Sequence, residues 1–334
     1  MTRIAEQQEP PTLTQPPDQA SDGELVARRW ATSDVRRTEQ DGQIVYVKEY
    51  HQLEDRGVTA EVIRRRTGRE IDLFRRLASH FASERRLGSL NLVCGEAESG
   101  TLVTVEAPGR PLAEAILGKF RTSVDAQCLR ALYLVGKWLR RFQSLPVNPG
   151  DEAHLTEDDP ADLVEYCDIR MRRVLELGYG WPPDAIRREI GQCLAVLVKR
   201  SPEQDRRFVW SHGDYGAQNI LWDGNVLTPI DFNTAKLSYP LHDVTYFIHR
   251  LEMFRVYFPW RRWPLAAWRR AVLRGYGRPD AEQSPMYRAM MIRHLHCRLN
   301  TYVRRPTLNL KQRVHNAWTR QRVRAKLLRL AAKD

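Results

Sequence analysis

The spacing of apolar positions changes character about a third of the way along the chain. Early on, Gln43-Ile-Val-Tyr-Val-Lys48 crowds β-branched and aromatic residues into a short run directly after Asp41-Gly42. That dipeptide is a strong hairpin-turn signal, so 43–48 reads as a strand. Residues 58–81 follow helical spacing instead, with Val62, Ile63, Ile71, Leu73, Phe74 and Leu77 as candidate core positions and arginines on the other face. A second strand pair, 91–93 and 101–105, is expected around the turn at Glu98-Ser-Gly100. Ala107-Pro-Gly-Arg-Pro-Leu112 then breaks the pattern and reads as a connection between lobes.

Beyond it helices dominate. Residues 126–143 carry Leu129, Leu132, Leu134, Val135, Trp138, Leu139 and Phe142, which predicts a largely buried helix stopped by Pro146. Further helices are predicted over 162–177 and 184–198. The stretch 208–231 reads as short strands and loops. From His242 the helical pattern resumes, interrupted at Pro259, Pro264, Pro279 and Pro306. Strands early, helices late and a loop-rich centre describe an α+β chain, and no internal repeat is present.

The 334 residues, 42% of them hydrophobic, are enough for a two-lobed protein with a core that needs no disulfide staples. The five cysteines, Cys94, Cys128, Cys167, Cys193 and Cys297, include no Cys-x-x-Cys pair and read as small apolar residues of a reducing compartment. No run of 18 apolar residues exists to span a bilayer. Residues 1–23 are polar and rich in Pro and Gln, without the apolar centre of a signal peptide, and are read as a disordered leader of a cytoplasmic protein.

Charge is unevenly placed. The net formal charge is +12, yet residues 250–334 alone hold 21 Lys and Arg against 4 Asp and Glu. A basic last quarter points to an anionic partner, or to solvated helix faces of an arginine-rich chain.

Candidate chemistry lies in the loop-rich centre, in Ser211-His-Gly-Asp214-Tyr-Gly-Ala-Gln-Asn219 and in Ile230-Asp231-Phe232. Asp214 precedes Asn219 by five positions, and Asp231 follows twelve later after the apolar run ending at Ile230. Asn219 and Asp231 are hard oxygen donors of the kind Mg²⁺ takes. A carboxylate kept off the metal, Asp214, can orient an attacking hydroxyl or accept its proton. Together they supply the metal and hydroxyl parts that phosphoryl transfer requires.

The pattern His-Gly-Asp-x-x-x-x-Asn followed by Ile-Asp-Phe resembles that of the aminoglycoside phosphotransferase and choline kinase-like family, small-molecule relatives of the protein kinases. The resemblance extends over residues 27–251. It implies a two-lobed protein kinase-like fold, with a small N-terminal β-sheet lobe over 24–109 and a larger helical lobe over 110–334. It also implies an ATP- and Mg²⁺-dependent phosphotransferase acting on a small-molecule hydroxyl. Asp214 would be catalytic, and Asn219 and Asp231 would hold the metal. His212 would brace the loop, and Asp243, in Tyr239-Pro-Leu-His-Asp243, would anchor the following helix. Lys48, ending a strand, would orient the phosphates with Glu70 as its partner and Glu54 or Glu61 in reserve. Glu106 and Ala107 would meet adenine through main-chain groups.

Two stretches depart from the family pattern. Residues 25–43, where a phosphate-covering loop belongs, contain no glycine-rich run; Thr32 and Ser33 are the available hydroxyls. Phe258-Pro-Trp-Arg-Arg-Trp-Pro-Leu-Ala-Ala-Trp-Arg-Arg270 mixes three tryptophans with four arginines and fits a membrane interface, a stacked anionic ligand or a packed helix pair. His294 and His296 lack metal-like spacing on one helix face and read as core or surface residues. Three functions stay open: a kinase of a soluble sugar, aminocyclitol or amino alcohol; a kinase of a lipid-linked or lipopolysaccharide-type sugar, recruited to the inner membrane face by the basic 250–334 segment; and a pseudokinase binding an anionic partner. Nucleic acid is not an expected partner.

Overall fold

The computed structural model describes residues 28–29, 33–53, 58–118, 125–151, 160–304 and 309–332. The leader expected over 1–23 lies outside them, as do Thr32, Glu54 and Pro306. Two compact units result. The first comprises the described residues up to Glu114 together with Gln218–Ala235, and the second Ala115–Ala217 with Lys236 onward.

The first unit is built on a five-stranded antiparallel sheet in the order β1-β2-β3-β5-β4. Its strands are β1 (Arg28–Arg29), β2 (Ser33–Gln40), β3 (Gln43–Tyr50), β4 (Leu92–Glu96) and β5 (Thr101–Val105). Asp41 (φ 51°) and Gly42 (φ 73°) both adopt the left-handed conformation that the tight β2–β3 hairpin demands. Helix α1 (Ala60–Phe81) starts at Thr59, whose hydroxyl accepts from the Val62 N–H, and buries Ile63, Ile71, Leu73, Phe74 and Leu77. A smaller sheet joins β6 (Arg110–Pro111) to β8 (Ile220–Trp222) and β9 (Leu227–Pro229). Its β8–β9 hairpin brings a late segment of the chain back among the early strands.

The segment expected to loop over phosphates is strand instead. Ser33–Gln40 pairs along its whole length with β3, from Ser33↔Tyr50 to Gln40↔Gln43. Val35 is its one aliphatic residue, so pairing with β3, not local alternation, sets its conformation. Ser33 itself is buried, 4% exposed.

The second unit is mostly helical. It contains α3 (Ala126–Phe142), α4 (Leu163–Glu176), α5 (Asp184–Arg200), the short α6 (Glu203–Arg206), α7 (His242–Tyr257), α8 (Leu265–Tyr276), α9 (Pro285–Arg304) and α10 (Leu310–Ala331). Helix α2 (Leu112–Leu117) runs from the end of the first unit into it. A two-stranded ribbon pairs β7 (Val209–Ser211) with β10 (Lys236–Ser238). The prolines act as expected: α7 ends two residues before Pro259, and Pro264 immediately precedes α8. Within the Trp/Arg stretch Trp268 is buried while Trp260 is 74% exposed. No helix among the described residues is long and apolar enough to cross a membrane.

Helices α3 and α8 meet at two glycines. A Cβ at Gly275 would lie 1.8 Å from the Tyr133 carbonyl oxygen, and one at Gly136 would lie 2.0 Å from that of Val272. Neither obstacle is a side chain that can swing away, so even one methyl must force the helices apart. Overpacking of this kind costs about 1–3 kcal/mol or more. Gly275→Ala is therefore expected to lower the thermal unfolding midpoint by roughly 5 °C. An unchanged midpoint would mean the two helices do not approach this closely.

Candidate active site

The first unit assembles a lysine and two carboxylates. Lys48 lies near the end of β3, where Val35 and Leu102 of the neighbouring strands fix its register. Its Nζ stands 2.8 Å from Asp231 Oδ1 and 3.7 Å from Glu70 Oε1. Burial works against the ammonium charge, but Asp231 and Glu70 outweigh it and hold the Lys48 pKa well above its ordinary value. Lys48 thus stays a cation at neutral pH. Glu70, 2% exposed in mid-α1, also accepts from Tyr50 Oη at 2.6 Å and from the Phe232 N–H at 3.1 Å. That second bond ties α1 to the chain leaving β9. Glu61, the reserve partner, pairs with Arg64 on the surface instead.

Asp231 is a strained point. Its φ of 64° places a non-glycine residue in the left-handed region, a cost on the order of 1 kcal/mol. The next residue holds it there: Phe232 donates its N–H to Glu70 and sets its ring edge-on to Phe74, 5.5 Å between centroids. Asn219, ending a single 3₁₀ turn (Ala217–Asn219), takes the Ile230 N–H on its carbonyl at 2.9 Å. The β8–β9 hairpin therefore brings Asn219 beside the residue that precedes Asp231.

Among the described residues no cluster of three His, Cys, Asp or Glu side chains could hold a metal by itself. The Asn219 and Asp231 pair still suits Mg²⁺, which keeps few protein ligands and completes its octahedron with water and phosphate oxygens. The left-handed turn at Asp231 and the lysine at its carboxylate fit a site for a metal-bound phosphate chain.

At Glu106 the main-chain N–H donates to Ile44 O at 2.9 Å. Its carboxylate is held by Arg37 at 2.9 and 3.1 Å and by Tyr46 Oη at 3.2 Å. The Arg37 hydrogen bond is the main cause of its lowered pKa. Ala107 follows directly, beyond the end of β5.

The second unit holds Asp214 on the loop after β7. Asp243, fully buried in the first turn of α7, accepts from Ser211 Oγ at 2.9 Å, the His212 N–H at 2.7 Å and the Gly213 N–H at 3.1 Å. Burial pushes the Asp243 pKa up, yet the hydrogen bond from His242 and the loop donors bring it below the ordinary carboxylate value. His242, driven by burial to a pKa of about 4, stays neutral at physiological pH. His212 is itself buried and sets its ring edge-on to Tyr215, whose hydroxyl donates to Val135 O at 3.1 Å. The loop before and after Asp214 is thereby pinned to α7 and α3. Tyr246, one turn along α7 from Asp243, donates its hydroxyl to Asp214 Oδ1 at 2.5 Å. Burial first, then the Asp214 charge, raises the Tyr246 pKa, which keeps the phenol a donor.

The sequence reading did not include Tyr246 or Tyr50. Each is identified by what its hydroxyl touches, across 32 and 20 positions of chain. His294 and His296 lie in the core: His294 Nε2 meets Thr245 Oγ1 at 2.9 Å, and His296 Nδ1 meets Ile292 O at 2.9 Å.

The phosphotransferase enzyme (APH) family matches residues 21–291. Comparison with curated protein sequences gives no match. Among solved structures, the chain is similar to an ethanolamine kinase of Plasmodium vivax (12% identity, TM-score 0.61), over 92% of this chain and 84% of the other. It is also similar to the streptomycin–ATP–APH(2″)-IIa ternary complex (13% identity, TM-score 0.57, 92% and 91% covered). A third is the amicoumacin kinase hAmiN in complex with AMP-PNP, Ca²⁺ and Ami (14% identity, TM-score 0.59, 90% and 88% covered). At such identities the likeness establishes the fold, a protein kinase-like arrangement of an antiparallel sheet and a larger helical part. The family match covers most of the chain, and the protein belongs to the phosphotransferase enzyme family as a kinase of hydroxyl acceptors.

Proposed function

We propose that the chain transfers the γ-phosphoryl group of ATP, with Mg²⁺, to a hydroxyl of a small molecule of the sugar, aminocyclitol or amino alcohol type. The observation that carries this reading is the Lys48–Asp231 ion pair, backed by Glu70 and set on a left-handed turn beside Asn219. A scaffold protein has no need of a buried lysine balanced by two acids at a strained position. Lys48 orients the phosphates. Asn219 and Asp231 would hold Mg²⁺, which supplies charge neutralisation of the triphosphate when bound. Adenine is met by the Glu106 carbonyl and the Ala107 main chain, the Glu106 N–H being engaged with Ile44. Residues 24–109 form the nucleotide lobe and 110–334 the catalytic and acceptor lobe, with Asn219 and Asp231 returning to the strands of the first.

Asp214 orients the acceptor hydroxyl. The acceptor oxygen bonds to the γ-phosphorus, the bond from that phosphorus to the β,γ-bridging oxygen breaks, and ADP leaves. The hydroxyl proton passes to the Asp214 carboxylate or to solvent. Tyr246 fixes the carboxylate rotamer through its 2.5 Å hydrogen bond.

Mg²⁺-ATP binding, read by calorimetry or thermal shift on the full chain, tests the reading. Saturable, metal-dependent binding is the expected result. No binding up to millimolar ATP would overturn it in favour of a pseudokinase.

A second reading, the kinase of a lipid-linked sugar, is favoured by exposed Trp260 and by Arg261, which stacks on Phe258 at 5.3 Å and Trp263 at 5.8 Å. Aromatic and arginine side chains together suit a bilayer interface. Co-sedimentation of Trp260→Ser with anionic vesicles, unchanged from wild type, would remove it.

A further inference from the structure

The surroundings of Asp214 within the second unit carry a charge pattern that the phosphotransfer reading leaves unused. Tyr246 touches Asp214, and Arg250 stands one turn further along α7. Helix α9 runs beside α7 here: the His294 ring meets Tyr246 at 5.3 Å, and Arg298 stands one turn beyond His294. Arg250 and Arg298, on these two helices, both lie close enough to the Tyr246 phenol for their charges to act on it. Arg298 is buried, 6% exposed. Burial opposes its charge, but the Asp214 carboxylate acts in its favour and a guanidinium does not deprotonate in a protein, so it remains a cation. Arg250 is half-buried and makes no ion pair or side-chain hydrogen bond among the described residues.

The imidazoles beside them carry no charge at neutral pH. Burial holds the pKa values of His249 and His294 well below the ordinary imidazole value, and that of His242 at about 4, so all three are neutral at pH 7. Glu252, the acid nearest in sequence to Arg250, is engaged with Lys326 and Arg269. Arg250 and Arg298 thus share the corner of the second unit that holds Tyr246 and the Asp214 carboxylate. An amine acceptor would meet net repulsion there, whereas an anion would be attracted by groups that are incompletely solvated.

We propose that the acceptor is an anionic alcohol, carrying a phosphate or carboxylate that Arg250 binds, reinforced by the Arg298 charge behind it. Arg250 is then a specificity-determining residue, its planar fork matched to two oxygens of the anion. The inference rests on Asp214 being the acceptor-side residue of the phosphotransferase reading. It narrows the acceptor class toward phosphorylated or acidic sugars and polyols, and away from polyamines.

The test separates it from that reading by omitting nucleotide. Binding to the full chain is measured by calorimetry for glycerol 3-phosphate, glucose 6-phosphate and gluconate, with ethanolamine, streptomycin and glucose as cationic and neutral counterparts. Phosphatidylglycerol and phosphatidylcholine vesicles distinguish a lipid source of the anion from a soluble one. At least one anionic probe is expected to bind more tightly than every counterpart. Arg250→Gln should weaken that binding by about tenfold or more, while Arg250→Lys, which keeps the charge and loses the two-pronged fork, should weaken it by less than Arg250→Gln does. Melting of both variants without ligand controls for the fold. If ethanolamine or streptomycin binds best, if no anionic probe binds, or if Arg250→Gln binds anions as wild type does, the inference falls. The kinase reading stands or falls separately on Mg²⁺-ATP.

Discussion

Replacing Asp231 with asparagine is expected to abolish metal-dependent ATP binding by the full chain while leaving it folded. The choice of residue matters because φ at this position is 64°. Asparagine enters the left-handed region more readily than other side chains, so it removes the charge and keeps the turn. Alanine removes the charge and adds backbone strain on the order of 1 kcal/mol. The lost carboxylate also leaves Glu70, at 3.7 Å, as the remaining acid paired with Lys48 among the described residues. Because the Asp231 side chain is 38% exposed, solvent screening keeps the loss of unliganded stability to about 1–2 kcal/mol. The sign with pH is fixed. Lys48 has a raised pKa in the folded chain, so its own contribution is complete at neutral pH and fades on the alkaline side as the ammonium deprotonates. Calorimetry of Mg²⁺-ATP against wild type, Asp231→Asn and Asp231→Ala checks the prediction. Loss in both variants, with alanine melting lower than asparagine, agrees with a metal role on a strained turn. Undiminished Mg²⁺-dependent affinity in Asp231→Asn would remove that role.

How much of this was legible before the structure depends on how far apart the interacting residues lie. The hairpin at Asp41-Gly42 and the helical spacing over 58–81 are local, and they agree with the strands and helix observed. So does the strand 101–105, which β5 matches at both ends. Strand β2 was missed because Arg36, Arg37, Thr38, Glu39 and Gln40 show no apolar alternation, and only pairing with β3 makes them extended. Around the candidate site, residues whose chemistry lies in one contiguous run were readable: Asp214 and Asn219, then Asp231. Their supports were not. Tyr50 reaches Glu70, Tyr246 reaches Asp214, and Arg298 neighbours Asp214 only after folding brings distant stretches of chain together. A tyrosine inside an apolar helix looks like core until its hydroxyl is seen to have a partner. Arg250 likewise read as one more member of a basic tail, and its position one turn from Tyr246 gives it a separate meaning.

Asp214→Ala is expected to lower turnover by about three orders of magnitude or more while Mg²⁺-ATP affinity stays near wild type. The asymmetry follows from where the residue sits. Asp214 belongs to the loop that Asp243 pins, whereas Lys48, Asn219 and Asp231, proposed to hold the nucleotide, belong to the strand-rich unit. Removing its carboxylate takes away the group that aligns the attacking oxygen, an interaction needed most at the transition state, and leaves the phosphate clamp unaltered. The fold should tolerate the change. Asp214 is only half-buried, and its loop stays fixed through the Asp243 bonds to Ser211, His212 and Gly213. Tyr246→Phe provides the graded comparison, since it keeps the carboxylate and removes only the 2.5 Å hydrogen bond that sets its rotamer. That variant should lose roughly tenfold in turnover, in line with one hydrogen bond to a charged group. Single-turnover phosphorylation of an acceptor, measured alongside nucleotide affinity, distinguishes the cases. A full loss in Asp214→Ala, a partial loss in Tyr246→Phe and unchanged ATP binding in both would place Asp214 at the acceptor hydroxyl. Unchanged turnover in Asp214→Ala would instead sink its catalytic assignment, and with it the reason to look for the acceptor beside Arg250.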